Sequence, residues 1–372
     1  MMNVKKIHWI GVGLSSPPGI LHLIKHGHNL EVWNRTTEKA SKLLNHKINI
    51  NKFDLEKLRL ALNPDDLIIS MLPADKHLDI AKIAINRKCH FLNSSYYDSK
   101  YAILEKDFVT NKKVFMCEAG LDPGIDHILA SKLIRDFKNT TKKNDLSSLN
   151  FTSMCGGFPL IPNKFKYKFS WTPLGVLKAL KSTAKYIEDF QKTEVSFPFQ
   201  KIENIKFNNE KFEIYPNRDS IPYIEAYQLT EYLYILEKFV RGTIRLDGWS
   251  NAWKEIFLKI KNNEDLENLS NELWEVNQYK KNEKDRVLLY VKLIAKDKQN
   301  KKVYDKILYI DEARDITKST MSQCVSLTLA LTVECLLNNK DISGIKRIFH
   351  DDKNVSYILK NLDNLGITVK EI

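Results

Sequence analysis

No CxxC pair occurs anywhere in the 372-residue chain, and its five cysteines, Cys89, Cys117, Cys155, Cys324 and Cys335, are odd in number and widely spaced. A disulfide framework or a cysteine zinc site needs paired spacing, so reduced thiols and no metal are expected. Long apolar runs are also missing. The stretch 324–333 is interrupted by hydroxyls and closed by Glu334, too short and too polar to span a bilayer, and it reads as a buried helix. Residues 1–6 lead directly into a strand-like segment that ends in glycines, not into the apolar core of a signal peptide, so a cytoplasmic location is expected. No basic helix and no aromatic-basic stripe is present. The net charge of +12 comes from lysines scattered among acids, so neither nucleic acid nor a membrane is an expected partner. An anionic substrate and a phosphorylated cofactor are compatible with the excess.

What remains is an ordinary globular composition, 43% hydrophobic and 28% charged, in a chain long enough for two cores. The segment Ile7-His8-Trp9-Ile10-Gly11-Val12-Gly13 is a short apolar run closed by two glycines, followed by Pro17-Pro18 and a helical pattern. Gly11 and Gly13 would let the backbone turn and approach a pyrophosphate, whose charge meets the free N–H groups of a helix N-terminus. The third glycine of the dinucleotide fingerprint is absent, and alone the motif is weak. Alternation strengthens it. Strands are predicted over 30–33, 67–72, 89–92 and 114–116, with helices over 37–44 and 75–86. Such apolar strands alternating with helices imply a parallel sheet covered on both faces, with its ligand crevice at the carboxyl ends of the strands.

At the end of the second strand stands Asn34-Arg35-Thr36, where an NAD enzyme usually carries an acid for the ribose hydroxyls. A guanidinium there suits a 2′-phosphate, so NADP is expected over NAD; the plainer alternative is that Arg35 caps the turn into an exposed helix. Beyond this domain, 148–154, 166–170 and 211–215 read as strands of a largely antiparallel sheet, and 174–182 and 229–240 as helices.

The segment Glu118-Ala119-Gly120-Leu121-Asp122-Pro123-Gly124-Ile125-Asp126-His127 resembles the saccharopine dehydrogenase family, glutamate-forming type. Further motifs are similar in the same order: Ser94-Ser95-Tyr96, Cys155-Gly156-Gly157, Tyr167-Lys168-Phe169-Ser170-Trp171, Tyr215-Pro216-Asn217-Arg218-Asp219-Ser220, Arg241-Gly242-Thr243-Ile244-Arg245 and, more loosely, Ser319-Thr320-Met321-Ser322. The chain departs from the pattern at Tyr97-Asp98 and at Asn51, and residues 260–303, a region shorter than in fungal members, carry no motif of the family.

The resemblance implies an α/β fold: an N-terminal Rossmann-like parallel sheet (1–121), an inserted α+β substrate domain (122–315), and C-terminal helices returning to the Rossmann domain (316–372). It implies an NADP-dependent oxidoreductase of lysine metabolism that interconverts saccharopine with L-glutamate and 2-aminoadipate 6-semialdehyde through an imine. By the same resemblance Ser95, Tyr96, Asp122, Arg218, Thr243 and Arg245 contact the substrate, with Tyr96 and Asp122 as candidate catalytic groups. Leu14, Asn34, Arg35, Thr36, Leu72, Pro73, Ser94, Leu121, Pro123 and Ser170 would line the cofactor beside Gly11 and Gly13. Small amino-acid substrates are the implied partners, and a homodimer is left open.

A tricarboxylate substrate calls for paired-donor cations, which Arg218 and Arg245 can supply. Each also has a plainer reading, as an ion pair with neighbouring Asp219 or Asp247. Asp122 could bind the substrate amine or cap a helix, and Tyr96 could donate a proton or form an aromatic wall. His127 is open to a proton-shuttle or a packing role. Two rival functions share the fold, a carboxynorspermidine synthase-like condensation and a catalytically silent NADPH-binding regulator.

Overall fold

The computed structural model describes residues 4–339 and 342–372. By contact density the chain divides into two compact units: Met1–Ile128 with Met321–Thr368, and Leu129–Thr320 with Val369–Ile372.

In the first unit, seven strands form one sheet in the order Gly344–Arg347, Val114–Cys117, His90–Asn93, Leu67–Ser70, Ile7–Ile10, Leu30–Asn34, Ile50–Lys52, every neighbouring pair parallel. The four central strands are buried at every residue, as both-sided cover by helices requires. Order reverses beside Ile7–Ile10, so the crevice at that strand's carboxyl end is a switch point for ligand binding. The alternation read from the sequence is thus present, with two short edge strands added, Ile50–Lys52 and Gly344–Arg347.

The apolar stretch 324–333 lies within the helix Thr320–Asn338, whose apolar window is 72% buried. Its wholly buried hydroxyls bond back one turn, Ser326 to the Ser322 carbonyl (2.8 Å), Thr328 to Cys324 (2.7 Å) and Thr332 to Thr328 (2.7 Å), which removes the cost of burying them. The helix Pro17–Lys25 packs on it so closely at Gly19 that a Cβ there would lie 2.2 Å from the Ser326 carbonyl oxygen. The close-packing duty that the fingerprint's third glycine would perform therefore falls to Gly19.

The second unit is built on a nine-stranded sheet. It is mixed: Leu236–Leu246 runs parallel to Leu146–Pro159, while the long pair Lys284–Asp297 and Lys302–Asp315 is antiparallel. Residues 260–303 belong to the helices Lys254–Lys261 and Leu266–Val276 and to that pair of strands.

Two segments differ from what the sequence predicts. Residues 229–240 are a 3-10 turn, Thr230–Ile235, followed by the strand Leu236–Leu246, not a helix. Residues 166–170 are a buried loop, because Lys166 adopts φ +56° and Asn163 takes both backbone groups of Tyr167, with one isolated bridge from Phe169 to Gln278. All five cysteines are free and buried.

Candidate active site

In the first unit the loop after Ile7–Ile10 is shaped by two glycines with different duties. Gly11 has φ +92°, and a Cβ on it would sit 3.0 Å from the Met71 backbone. Around Gly13 a Cβ would meet nothing within 4 Å, so this backbone is open to close approach by a ligand. Ser16, at the third fingerprint position, closes the loop: its hydroxyl donates to the Gly11 carbonyl at 3.0 Å, and Gly13 N–H points to it at 3.4 Å. Pro17 then opens the helix, where a missing N–H costs nothing.

Asn34 ties this loop to the next one. Its Oδ1 accepts from Val12 N at 2.9 Å and its Nδ2 donates to the Thr36 carbonyl at 2.9 Å. Arg35 beside it is exposed and engages no acid among the described residues; Leu14 and Thr36 are exposed as well. At the end of the strand Leu30–Asn34, where an NAD enzyme would hold its ribose with an acid, Asn34, Arg35 and Thr36 supply no carboxylate. An open glycine backbone, a helix N-terminus and an unengaged guanidinium are the donor set that a phosphorylated dinucleotide needs.

Leu72 and Pro73 follow the strand Leu67–Ser70, and Ser94 donates to the Met71 sulfur at 3.3 Å. Ser95 is held by His77, a residue sequence reasoning did not single out. The His77 ring bridges the Ser70 hydroxyl (3.0 Å) and the Ser95 hydroxyl (2.9 Å), and burial pushes its pKa down to about 4, so it is a neutral imidazole at pH 7. Its only sequence signal is its place in the first turn after a strand at the ligand edge.

The Tyr96 hydroxyl donates to the Asp122 carboxylate, joining two of the residues the sequence singled out. The helix-capping alternative for Asp122 meets a competitor, since the Gly124 N–H goes to Asp126 at 2.7 Å. Leu121 and Pro123 are buried, and Gly124 (φ +148°) lies against Gly120, which fixes the loop between them. Beneath it sits a cluster of buried charge. Glu118 accepts from Tyr97 N at 3.0 Å, meets Arg347 at 3.2 Å and lies 3.6 Å from His127, whose ring packs 4.9 Å from Phe349. Glu118 stood in the quoted motif without a role; Arg347, from the C-terminal edge strand, carried no sequence signal at all.

In the second unit Thr243 and Arg245 lie on the strand Leu236–Leu246, in register with Tyr215 and Glu213 of the neighbouring strand Glu210–Pro216. Arg245 is 6% exposed and boxed by rings: its guanidinium carbon lies 4.9 Å from the Tyr167 centroid, 5.4 Å from Trp249 and 5.6 Å from Tyr215. It engages no acid among the described residues. Its Nη1 donates to the Ile244 carbonyl at 3.2 Å and its Nε has no partner. The pairing with Asp247 considered from sequence is therefore not made. Glu213, opposite in register, is diverted to Gly248 N (2.9 Å) and Ser250 N (2.7 Å). Burial pushes the Tyr215 phenol pKa up, against the opposing pull of Arg245 and a hydrogen bond with Thr243.

Arg218 is exposed at φ +59°, with its carbonyl accepting from Lys185 N at 2.8 Å. Asp219 receives Ile221 N at 2.9 Å. Ser170 is buried at the end of the 166–170 loop.

The family model of the saccharopine dehydrogenase NADP binding domain matches residues 7–116, and that of the saccharopine dehydrogenase C-terminal domain matches residues 120–367. Among curated proteins, the chain is 34% identical over 253 residues to the NADP(+), L-glutamate-forming saccharopine dehydrogenase of Schizosaccharomyces pombe, covering 64% of this chain and 54% of that one. It is 34% identical over 264 residues to the Saccharomyces cerevisiae enzyme of the same description, covering 68% and 57%. To the mitochondrial alpha-aminoadipic semialdehyde synthase of Mus musculus it is 32% identical over 266 residues, covering 68% and 28%. The chain thus spans about half the length of the fungal relatives it matches.

Among solved structures, the apo saccharopine dehydrogenase (L-Glu forming) from Saccharomyces cerevisiae superposes with TM-score 0.82 at 24% identity, covering 99% of both chains. A homospermidine synthase from Legionella pneumophila gives 0.62 at 11%, covering 99% of this chain and 91% of that one. These likenesses speak for the fold. The two family models run in order through both units, one of them over 120–367, and the chain belongs to the saccharopine dehydrogenase family.

Proposed function

We propose that this protein is an NADP-dependent oxidoreductase that interconverts saccharopine with L-glutamate and 2-aminoadipate 6-semialdehyde. The observation that carries this reading is Arg245. A buried guanidinium without an acid is costly to hold, and its cost is recovered when an anion fills the box. A substrate carboxylate is such an anion, and the guanidinium can bind it through two parallel N–H bonds. Arg218 supplies a second cation for a second carboxylate, and Thr243 a hydroxyl beside the first.

In the first unit the Gly11–Gly13 loop and Arg35 bind the dinucleotide, which accepts or returns a hydride when bound. In the oxidative direction the hydride leaves the carbon that joins the lysine part of saccharopine to nitrogen, giving an imine. Water adds to that carbon, the C–N bond breaks, and the nitrogen leaves with glutamate. Asp122 binds the amine, and the Tyr96 hydroxyl, oriented by Asp122, hydrogen-bonds the oxygen that water brings. His77, neutral at pH 7, orients Ser95.

The deciding experiment is NADPH oxidation with aminoadipate semialdehyde and glutamate. Turnover should require both and should be absent when a diamine replaces glutamate. Turnover with the diamine alone would transfer the protein to the polyamine-forming reading, and none with either to the silent-regulator reading. A cytoplasmic location is part of the proposal, checked by fractionation.

A further inference from the structure

Three histidines crowd one end of the helix Pro17–Lys25, in the sequence His22-Leu23-Ile24-Lys25-His26-Gly27-His28. Residues four apart on a helix lie on one face, so His22 and His26 present their rings together; the centroids are 4.0 Å apart. Glu334 of the helix Thr320–Asn338 reaches the same place, with Oε1 2.9 Å from His22 Nε2 and 4.0 Å from His28 Nε2. One nitrogen of His22, one of His26 and one oxygen of Glu334 all lie within 4.8 Å of one another. The expectation of no metal rested on cysteine spacing, which is blind to a histidine set.

We propose that His22, His26 and Glu334 form a binding site for a divalent transition metal of the zinc type, with His28 as a further ligand. The donor chemistry selects the metal class: two or three imidazoles and one carboxylate suit zinc, cobalt or nickel, whereas magnesium and calcium require an all-oxygen shell. The outer contacts have the form such ligands need. His26 Nδ1 sits 2.8 Å from the His22 carbonyl, a contact that only an N–H can make, so the lone pair of His26 is on Nε2. The other oxygen of Glu334 accepts the Tyr357 hydroxyl at 2.8 Å, which fixes the carboxylate.

The side chains of His22 and Glu334 are only 8% and 13% exposed, so an ion here would be shielded on one side, while exposed His26 leaves it a path in. Metal–ligand bonds of about 2.0 to 2.2 Å require donors about 3.4 Å apart, which asks the side chains to close by roughly 1 Å. Binding at His22 Nε2 takes the neutral ring with its proton on Nδ1, so the proton shifts from Nε2 to Nδ1 by exchange with solvent with no net loss, and no redox change is involved. The ion would bridge the helix that follows the glycine loop to the helix Thr320–Asn338, about one to two turns beyond the Gly19–Ser326 contact, and so acts as a structural clamp inside the first unit.

The test uses the full chain, untagged and stripped with a chelator, titrated with Zn²⁺ and Co²⁺. One equivalent of each should bind, Co²⁺ should develop visible d–d bands, and Zn²⁺ should raise the melting temperature while Mg²⁺ does not. His26→Gln and Glu334→Gln should each weaken binding by about tenfold or more while the metal-free melting temperature of His26→Gln stays at the wild-type value. Equal affinity and stoichiometry for wild type and His26→Gln would overturn the site, as would the absence of saturable binding below about 100 µM metal.

Discussion

Arg245 separates function from stability in a way few residues do. As a buried cation facing three rings and no acid, it destabilises the empty protein. Arg245→Met keeps most of the volume and removes the charge. The variant should melt at the wild-type temperature or above it while kcat/KM falls on the order of a hundredfold, because the substrate carboxylate is left without its partner. A fall in melting temperature with unchanged turnover per folded molecule would make the guanidinium structural and remove it from the site. Arg35 gives the complementary case at the surface. With nothing bound to its guanidinium, Arg35→Asp should leave stability alone, yet lower NADP affinity by about 2 to 4 kcal/mol through lost contact and added repulsion, with NAD overtaking it. Dissociation constants for both dinucleotides on one preparation settle the point, and a wild type that prefers NAD tenfold would sink the idea.

Among the elements, the packing of the helix Pro17–Lys25 rests on a single missing side chain. Gly19 donates its N–H to the Ser326 hydroxyl at 2.9 Å, and a methyl group there would press into the Ser326 backbone. Neither partner is a flexible side-chain tip, so Gly19→Ala should force the two helices apart at a cost of about 2 kcal/mol or more. The glycine loop that feeds this helix would move with it, so NADP affinity should fall in parallel with the melting temperature. If binding is lost without destabilisation, the contact is not what seats the loop.

The parallel sheet was legible in the sequence because its buried strands are continuous apolar runs between turn residues, and the site motifs because they cluster at strand ends. Residues 229–240 misled for a physical reason. Leu229, Tyr232, Ile235, Leu236, Phe239 and Val240 are buried at spacings of three and four, which imitates a helix. The pattern arises because a 3-10 turn runs into a strand whose register shifts between Leu236 and Lys238, putting the alternation out of phase. The reverse error at 166–170 came from true alternation, Lys166-Tyr167-Lys168-Phe169, on a backbone that the positive φ of Lys166 keeps from being a strand. Arg347 and His77 were invisible because their partners, Glu118 and Ser95, are distant in sequence and their types are common in any chain.

For the molecule as a whole, the histidines are distributed one-sidedly. All nine, His8, His22, His26, His28, His46, His77, His90, His127 and His350, lie in the unit of the seven-stranded sheet, and the nine-stranded unit has none. Burial pushes His77 and His90 down to about 4, and His8 is also lowered by burial against the opposing pull of Asp66 and Glu31. His90 Nδ1 accepts from Val114 N at 3.1 Å and His8 Nδ1 from the Trp33 indole at 3.2 Å, bonds that a protonated ring cannot accept. The folded values lie below the unfolded 6.5, so the unfolded chain takes up protons first. The stability these groups permit is complete above pH 6.5 and is lost as pH falls toward 4. Between pH 7 and 5, His77 and His90 should each remove about 2 kcal/mol from the first unit, before most carboxylates titrate. Amide exchange followed by mass spectrometry, corrected for its intrinsic pH dependence, should therefore show protection lost at pH 5 in Ile7–Ile10, Leu67–Ser70 and Val114–Cys117 but kept in Leu146–Pro159 and Lys284–Asp297. His90→Asn, whose Oδ1 can still accept from Val114 N, should make the first unit's protection less dependent on pH. Equal loss in both sheets, or an asparagine variant as acid-sensitive as the wild type, would show that acid acts through some other group than these buried rings.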